Sequence, residues 1–110
     1  MAESASPVGE IIRRYCEQLA RDGIEVTQVF LFGSHARGTP HEGSDIDLII
    51  VSPDFAPMGL LERLETLGVA AGEVFEPVQA YGVTPEEVER GELSPFWAMI
   101  LEREAVPVAV

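Results

Sequence analysis

Val8, Ile11, Ile12, Tyr15 and Leu19 recur at the spacing of one helix face, with Arg13, Arg14, Glu17 and Gln18 between them. The pattern predicts an amphipathic helix opened by Ser6-Pro7, a cap residue followed by proline at the first helical position. Asp22-Gly23 closes it. Residues 26–32 are rich in β-branched and aromatic side chains and stop at Gly33, which predicts a strand. Residues 45–52 predict a second. Its unbroken run Leu48-Ile49-Ile50-Val51 predicts a central strand covered on both faces. After the break at Ser52-Pro53-Asp54-Phe55-Ala56-Pro57, the residues Leu60, Leu61, Leu64 and Leu67 predict the apolar face of another helix. That helix runs out between Gly68 and Gly72.

Residues 74–83 predict a third strand, and Pro77 within it implies an edge position or an irregular start. Thr84-Pro85-Glu86-Glu87 is a capping box with proline at the first helical position, and Gly91 keeps the helix short. Ser94-Pro95 opens a further helix with Phe96, Trp97, Ile100 and Leu101 as its apolar face. The tail from Ala105 is apolar and β-branched, and Pro107 confines it to an edge strand or a covered tail. Helices alternating with strands over short connections predict an α/β fold: one small domain over residues 1–110, with a mixed sheet of three to four strands covered by helices.

Composition narrows the function. Hydrophobic residues make up 46 % of the 110 residues, too many for a disordered chain. Seven Lys and Arg against nineteen Asp and Glu leave a formal charge of −12. Such a surface repels a polyphosphate backbone, so no nucleic acid is expected as a partner, while a basic protein would suit it. The lone cysteine, Cys16, has no partner for a disulfide and falls at a half-buried helix position. No basic leader and no membrane-length apolar run is visible, so a cytoplasmic protein away from membranes is expected.

The chemistry concentrates in Leu31-Phe32-Gly33-Ser34-His35-Ala36-Arg37-Gly38 and, after a polar turn, Ser44-Asp45-Ile46-Asp47-Leu48. On a strand, Asp45 and Asp47 point out of one face and Ile46 out of the other. Two carboxylates side by side repel unless a cation lies between them, and hard divalent ions choose oxygen ligands. The Gly-Ser turn leaves backbone N–H groups free to meet phosphate oxygens, although a plain strand-to-helix turn also favours Gly-Ser. A phosphate cradle beside a metal platform is what phosphoryl or nucleotidyl transfer requires.

Gly33-Ser34-x-Ala36-x-Gly38 followed by Ser44-Asp45-x-Asp47-Leu48 resembles the signature of the DNA polymerase β-like nucleotidyltransferase superfamily. The small size resembles the minimal nucleotidyltransferases usually paired with a HEPN-domain protein. The resemblance implies Mg²⁺ or Mn²⁺ on Asp45 and Asp47, and ATP or another nucleoside triphosphate contacted by Gly33, Ser34 and Arg37. It also implies nucleotidyl transfer to a hydroxyl on a HEPN-type toxin. Arg37 has a second reading, an ion pair with Glu42 or Asp45, and Ser44 caps the turn into the strand. His35 and His41 are expected on exposed turns. Trp97 and Phe96 read as core, and Glu86, Glu87 and Glu89 as a solvated first turn.

Active members of that superfamily place a third carboxylate on the third strand. Counting back from Thr84, its expected position holds Gln79, which cannot take a proton from an acceptor hydroxyl. Glu76, three residues away, faces the other side unless Pro77 introduces a bulge. An alternative function follows: a catalytically weak or inactive antitoxin or regulatory subunit that keeps the motif for nucleotide binding or only as a relic, and acts by binding a basic partner. A small-molecule transferase is a third reading, one that normally needs an added helical domain.

Overall fold

A computed structural model describes residues 7–39 and 45–109. Helix α1 (Pro7–Arg21) is followed by β1 (Gln28–Phe32), the short α2 (Ser34–Arg37) and β2 (Ile46–Val51). A 3₁₀ turn then leads to α3 (Leu60–Val74), β3 (Val78–Val83), α4 (Pro85–Glu89) and α5 (Pro95–Met99). A π-helical turn, Ile100–Glu104, delivers the chain to β4 (Val106–Val108). The sheet order is β3-β2-β1-β4. β2 runs parallel to β3, and β1 runs antiparallel to both β2 and β4.

The alternation of strand side chains divides the core in two. Ile46, Leu48, Ile50 and Val29 pack under α1 and α3 with Ile12, Tyr15, Leu19, Phe55, Leu67 and Ala70. Ile49, Val51 and Val83 pack on the other face against Ile100, Trp97 and Leu101. β2 is therefore the covered central strand its apolar run predicts. The Tyr15 hydroxyl donates to Leu67 O at 2.8 Å and ties α1 to α3, so this buried polar group is satisfied. Burial pushes the half-buried Cys16 thiol up to about 11, as expected of a packing residue.

The third strand and the helix before it depart from the sequence pattern. α3 continues through Gly68 and Gly72 to Val74, and Phe75 caps it in the left-handed region at φ 59°. The strand consequently starts at Val78 rather than at residue 74. Leu67, Ala70, Ala71 and Val74 face the core, whereas Leu60, Leu61 and Leu64 are exposed. Leu spacing alone set the apolar face one position off, because small alanines fill the narrow gap beneath the helix. Strand β4 occupies the sheet edge that Pro107 predicts, with Pro107 opposite Phe30. The predicted capping box is present: the Thr84 hydroxyl accepts from Glu87 N at 3.1 Å, and the Glu87 carboxylate accepts from Thr84 N at 2.9 Å.

Candidate functional site

The end of β1 and the start of β2 meet at one end of the sheet, with Phe32 opposite Asp47. Gly33 follows at φ 77° and turns the chain into α2, whose last turn closes on Gly38 at φ 74°. A Cβ built on Gly33 would lie 2.2 Å from Asp47 Oδ2. Glycine is thus required twice, by its backbone angle and by the carboxylate pressed against it. The turn and the carboxylate form one unit.

Asp47 is half-buried and Asp45 exposed. Burial, reinforced by the Asp45 carboxylate, pushes the Asp47 carboxyl above its ordinary value, against the opposing pull of His35 and Arg37. Arg37 lies 3.5 Å from Glu104 of the π-helical turn, not from Asp45; Glu42 and Ser44 lie outside the described residues, as does His41. His35 corrects an expectation. It is half-buried, and its Nε2 is shielded from solvent with no hydrogen-bond partner. The four-residue α2 packs against β1 and β2 rather than forming an open turn, which a run this short gives no periodicity to reveal.

Gln79 is the register partner of Asp47 across the parallel β2–β3 pair, on the same face. The pairing is regular from Ile46–Val78 to Val51–Val83, so no bulge resets it. Glu76 lies on the opposite side, where its carboxylate takes the Arg14 guanidinium of α1. Among the described residues no group of three or more His, Cys, Asp or Glu could hold a metal ion. Two carboxylates remain, and they suit a cation that takes its other ligands from phosphate oxygens and water, the habit of Mg²⁺.

The sheet face beyond Asp47 is closed by aromatic rings. Trp97 stacks on Tyr81 with centroids 4.0 Å apart at 9°, and meets Phe32 edge-on at 5.6 Å. Trp97 is core, as expected, while Phe96 is 57 % exposed. Sequence reading missed the role of Glu87: besides capping α4, it holds Arg63 through contacts of 2.9 and 3.1 Å. The only available signal was one arginine in an otherwise acidic helix.

A parallel–antiparallel sheet with a Gly-Ser turn beside an Asp-x-Asp strand is the frame of a nucleotidyltransferase, and the nucleotidyltransferase domain family matches residues 10–102. The chain belongs to that family, which is a family of transferases. It is 33 % identical over 81 residues to "Putative protein adenylyltransferase MJ1305" of Methanocaldococcus jannaschii, covering 72 % of this chain and 51 % of that protein. "Putative protein adenylyltransferase MJ1379" of the same organism is 34 % identical over 71 residues, 59 % of this chain and 70 % of that one. The chain thus spans about half the length of the first of these relatives. The crystal structure of "a putative nucleotidyltransferase from Sulfolobus solfataricus" superposes with a TM-score of 0.58 at 23 % identity, over 76 % of this chain and 72 % of that one. A toxin–antitoxin crystal structure with AMP-PNP gives a TM-score of 0.60 at 22 % identity, over 93 % of this chain and 72 % of that one. A mutant MntA–HpeT toxin–antitoxin gives 0.58 at 20 % identity, over 93 % and 72 %. At these identities the structural likeness establishes the fold. Among the described residues no helix is long and apolar enough to cross a membrane.

Proposed function

We infer that the chain transfers a nucleotidyl group from ATP, or another nucleoside triphosphate, to a hydroxyl on a partner protein of the HEPN type. The observation that carries this reading is the close approach of Asp47 to Gly33, which sets the Gly-Ser turn against the Asp-x-Asp strand. The relatives named as protein adenylyltransferases support a protein acceptor, and the toxin–antitoxin neighbours support a partner of that kind. So does the net charge of −12, which favours a basic protein over a nucleic acid.

In this reading Asp45 and Asp47 hold Mg²⁺, which when bound supplies polarisation of the phosphoryl oxygens. The raised Asp47 carboxyl is consistent with a pair awaiting a counter-charge. Gly33 lets the backbone approach the triphosphate, the Ser34 hydroxyl donates to a phosphate oxygen, and Arg37 turns from Glu104 to a terminal phosphate. Phe32, Trp97 and Tyr81 form an aromatic wall on the same sheet face as Asp47.

A second reading is favoured by Gln79. With an amide opposite Asp47, the acceptor hydroxyl finds no base on β3. The chain would then be a nucleotide-binding antitoxin or regulatory subunit that acts by occupying its partner. One experiment separates the two. The chain is incubated with Mg²⁺, a candidate HEPN partner and ATP labelled at either the α- or the γ-phosphate. Label moving to the partner from the α-position alone supports nucleotidyl transfer. Label from the γ-position overturns it, and nucleotide binding without any transfer selects the second reading.

A further inference from the structure

The outward side of α3 carries an apolar line that the fold does not use. Leu61, Leu64, Gly68, Gly72 and Phe75 follow one another at steps of three and four residues and are all exposed. Leu61 is 70 % exposed and Phe75 93 %, with Leu60 and Val69 flanking the line. Nothing lies within 4 Å of a Cβ built on Gly68 or Gly72, so the middle of the line is a shallow open trough. Phe75 holds a left-handed backbone, φ 59°, that glycine normally occupies at a helix end, and no burial of its ring offsets that conformation.

The line has a direction. Phe75 precedes β3 by three residues, and β3 begins at the end of the sheet where Gln79 pairs with Asp47. α3 covers the sheet face opposite Asp47 and Gln79, so the line ends beside the β3 edge, and a protein seated on it reaches the carboxylates around that edge.

Its charge selects what can lie there. Glu62, Glu65 and Glu73 are exposed along α3, while Arg63, its one basic residue, is turned inward onto Glu87. At the C-terminal half Glu73 faces Asp22 of the α1 end, and the two carboxyls hold the Glu73 pKa up. A second copy of a chain carrying −12 would bring like charge against like.

We propose that this line is the docking surface for the acceptor protein, and that it receives a basic amphipathic helix. The apolar side chains of that helix lie between Leu61 and Phe75, and its Lys and Arg residues meet Glu62, Glu65, Glu73 and Asp22. Gly68 and Gly72 let the two helices approach closely, and Phe75 anchors the end next to β3. The inference rests on the acceptor being a protein, and it concerns binding alone.

A fluorescein-labelled helical peptide of about 20 residues, some 30 Å long, with one Leu stripe and Lys or Arg elsewhere, tests it on the intact chain. The expected result is saturable binding that weakens about tenfold or more in Leu61→Glu/Leu64→Glu, and comparably in Phe75→Gly. Because glycine suits the left-handed cap, Phe75→Gly should not lower the thermal midpoint, which separates lost docking from lost folding. The Asp47→Asn chain should bind the peptide like the parent, so the docking surface can stand or fall independently of nucleotidyl transfer. Equal binding by all variants overturns the proposal. So does equal binding of a peptide whose Leu stripe is replaced by Ser, since charge alone would then suffice. A dimeric parent chain that Leu64→Glu dissociates would assign the line to a second copy and overturn it equally.

Discussion

Gln79 stands directly opposite Asp47 across the parallel β2–β3 pair, an amide placed beside a carboxylate whose pKa is already raised. A carboxylate at that register would face Asp47 as a like charge and would need a cation to be tolerated. Gln79→Glu is therefore expected to lower apo stability by about 0.5–1 kcal/mol, tighten Mg²⁺-dependent nucleotide binding and raise transfer about tenfold or more. Glu76→Gln, on the far face against Arg14, is expected to leave transfer unchanged. Thermal melts with and without Mg²⁺–ATP, together with α-label transfer, check both variants. A loss of transfer in Glu76→Gln would contradict the observed register.

Gly33 and Gly38 provide a matched pair of substitutions. Both have positive φ, but only at Gly33 would a Cβ meet another group, Asp47 Oδ2 at 2.2 Å. Gly38→Ala should cost about 1 kcal/mol, the ordinary left-handed strain, and leave nucleotide binding nearly intact. Gly33→Ala should cost about 2–3 kcal/mol and abolish the thermal shift given by Mg²⁺–ATP, because Asp47 must move. Equal nucleotide shifts in the two variants would show that the Gly33–Asp47 contact does not matter for binding.

These positions show what the sequence made legible. The two glycines and the Asp-x-Asp strand depend on local chain geometry and strict alternation, so spacing located them, while the family resemblance pointed to the Gln79 position. The capping box at Thr84 and the central run of β2 were legible for the same reason. The inner face of α3 was not, because Ala70, Ala71 and Val74 fill space left by α1 and the sheet, a tertiary fit that leucine periodicity cannot express. The shielding of His35 and the Arg63–Glu87 pair likewise depend on segments brought together only by folding, 24 residues apart in the second case.

Asp47→Asn removes a half-buried carboxylate and its repulsion with Asp45. The apo chain is expected to become slightly more stable at neutral pH, while the Mg²⁺–ATP thermal shift disappears. The sign is specific to a raised pKa. In the parent, the favourable contribution belongs to the protonated form, present at low pH and lost as pH rises through the folded-state pKa. The stability difference between variant and parent should therefore shrink on acidification. Melts from neutral to acidic pH without metal follow it, and a variant less stable than the parent at neutral pH would refute the assignment.

The Arg63–Glu87 pair predicts the opposite pH behaviour. Arg63 first, and then Thr84 N, hold the Glu87 carboxyl below its ordinary 4.5. A depressed folded-state value gives stability that is present above the unfolded pKa and is lost as pH falls from about 4.5 through the folded pKa. Arg63 is only 13 % exposed and also donates to Met58 O at 3.0 Å and Gly82 O at 3.1 Å, so it cannot swing into solvent without breaking these bonds. Glu87→Gln leaves that guanidinium without its counter-charge and should destabilise the chain by about 2 kcal/mol at neutral pH, between the values for exposed and fully buried pairs. As pH falls through the lowered folded-state pKa, the parent carboxylate is itself protonated, so parent and variant should converge. The pair joins α3 to the start of α4 and lies away from Asp47, so nucleotide binding by the folded variant should match the parent. A gap between the two melting curves that persists unchanged into acid would mean that shape rather than charge holds Arg63 in place.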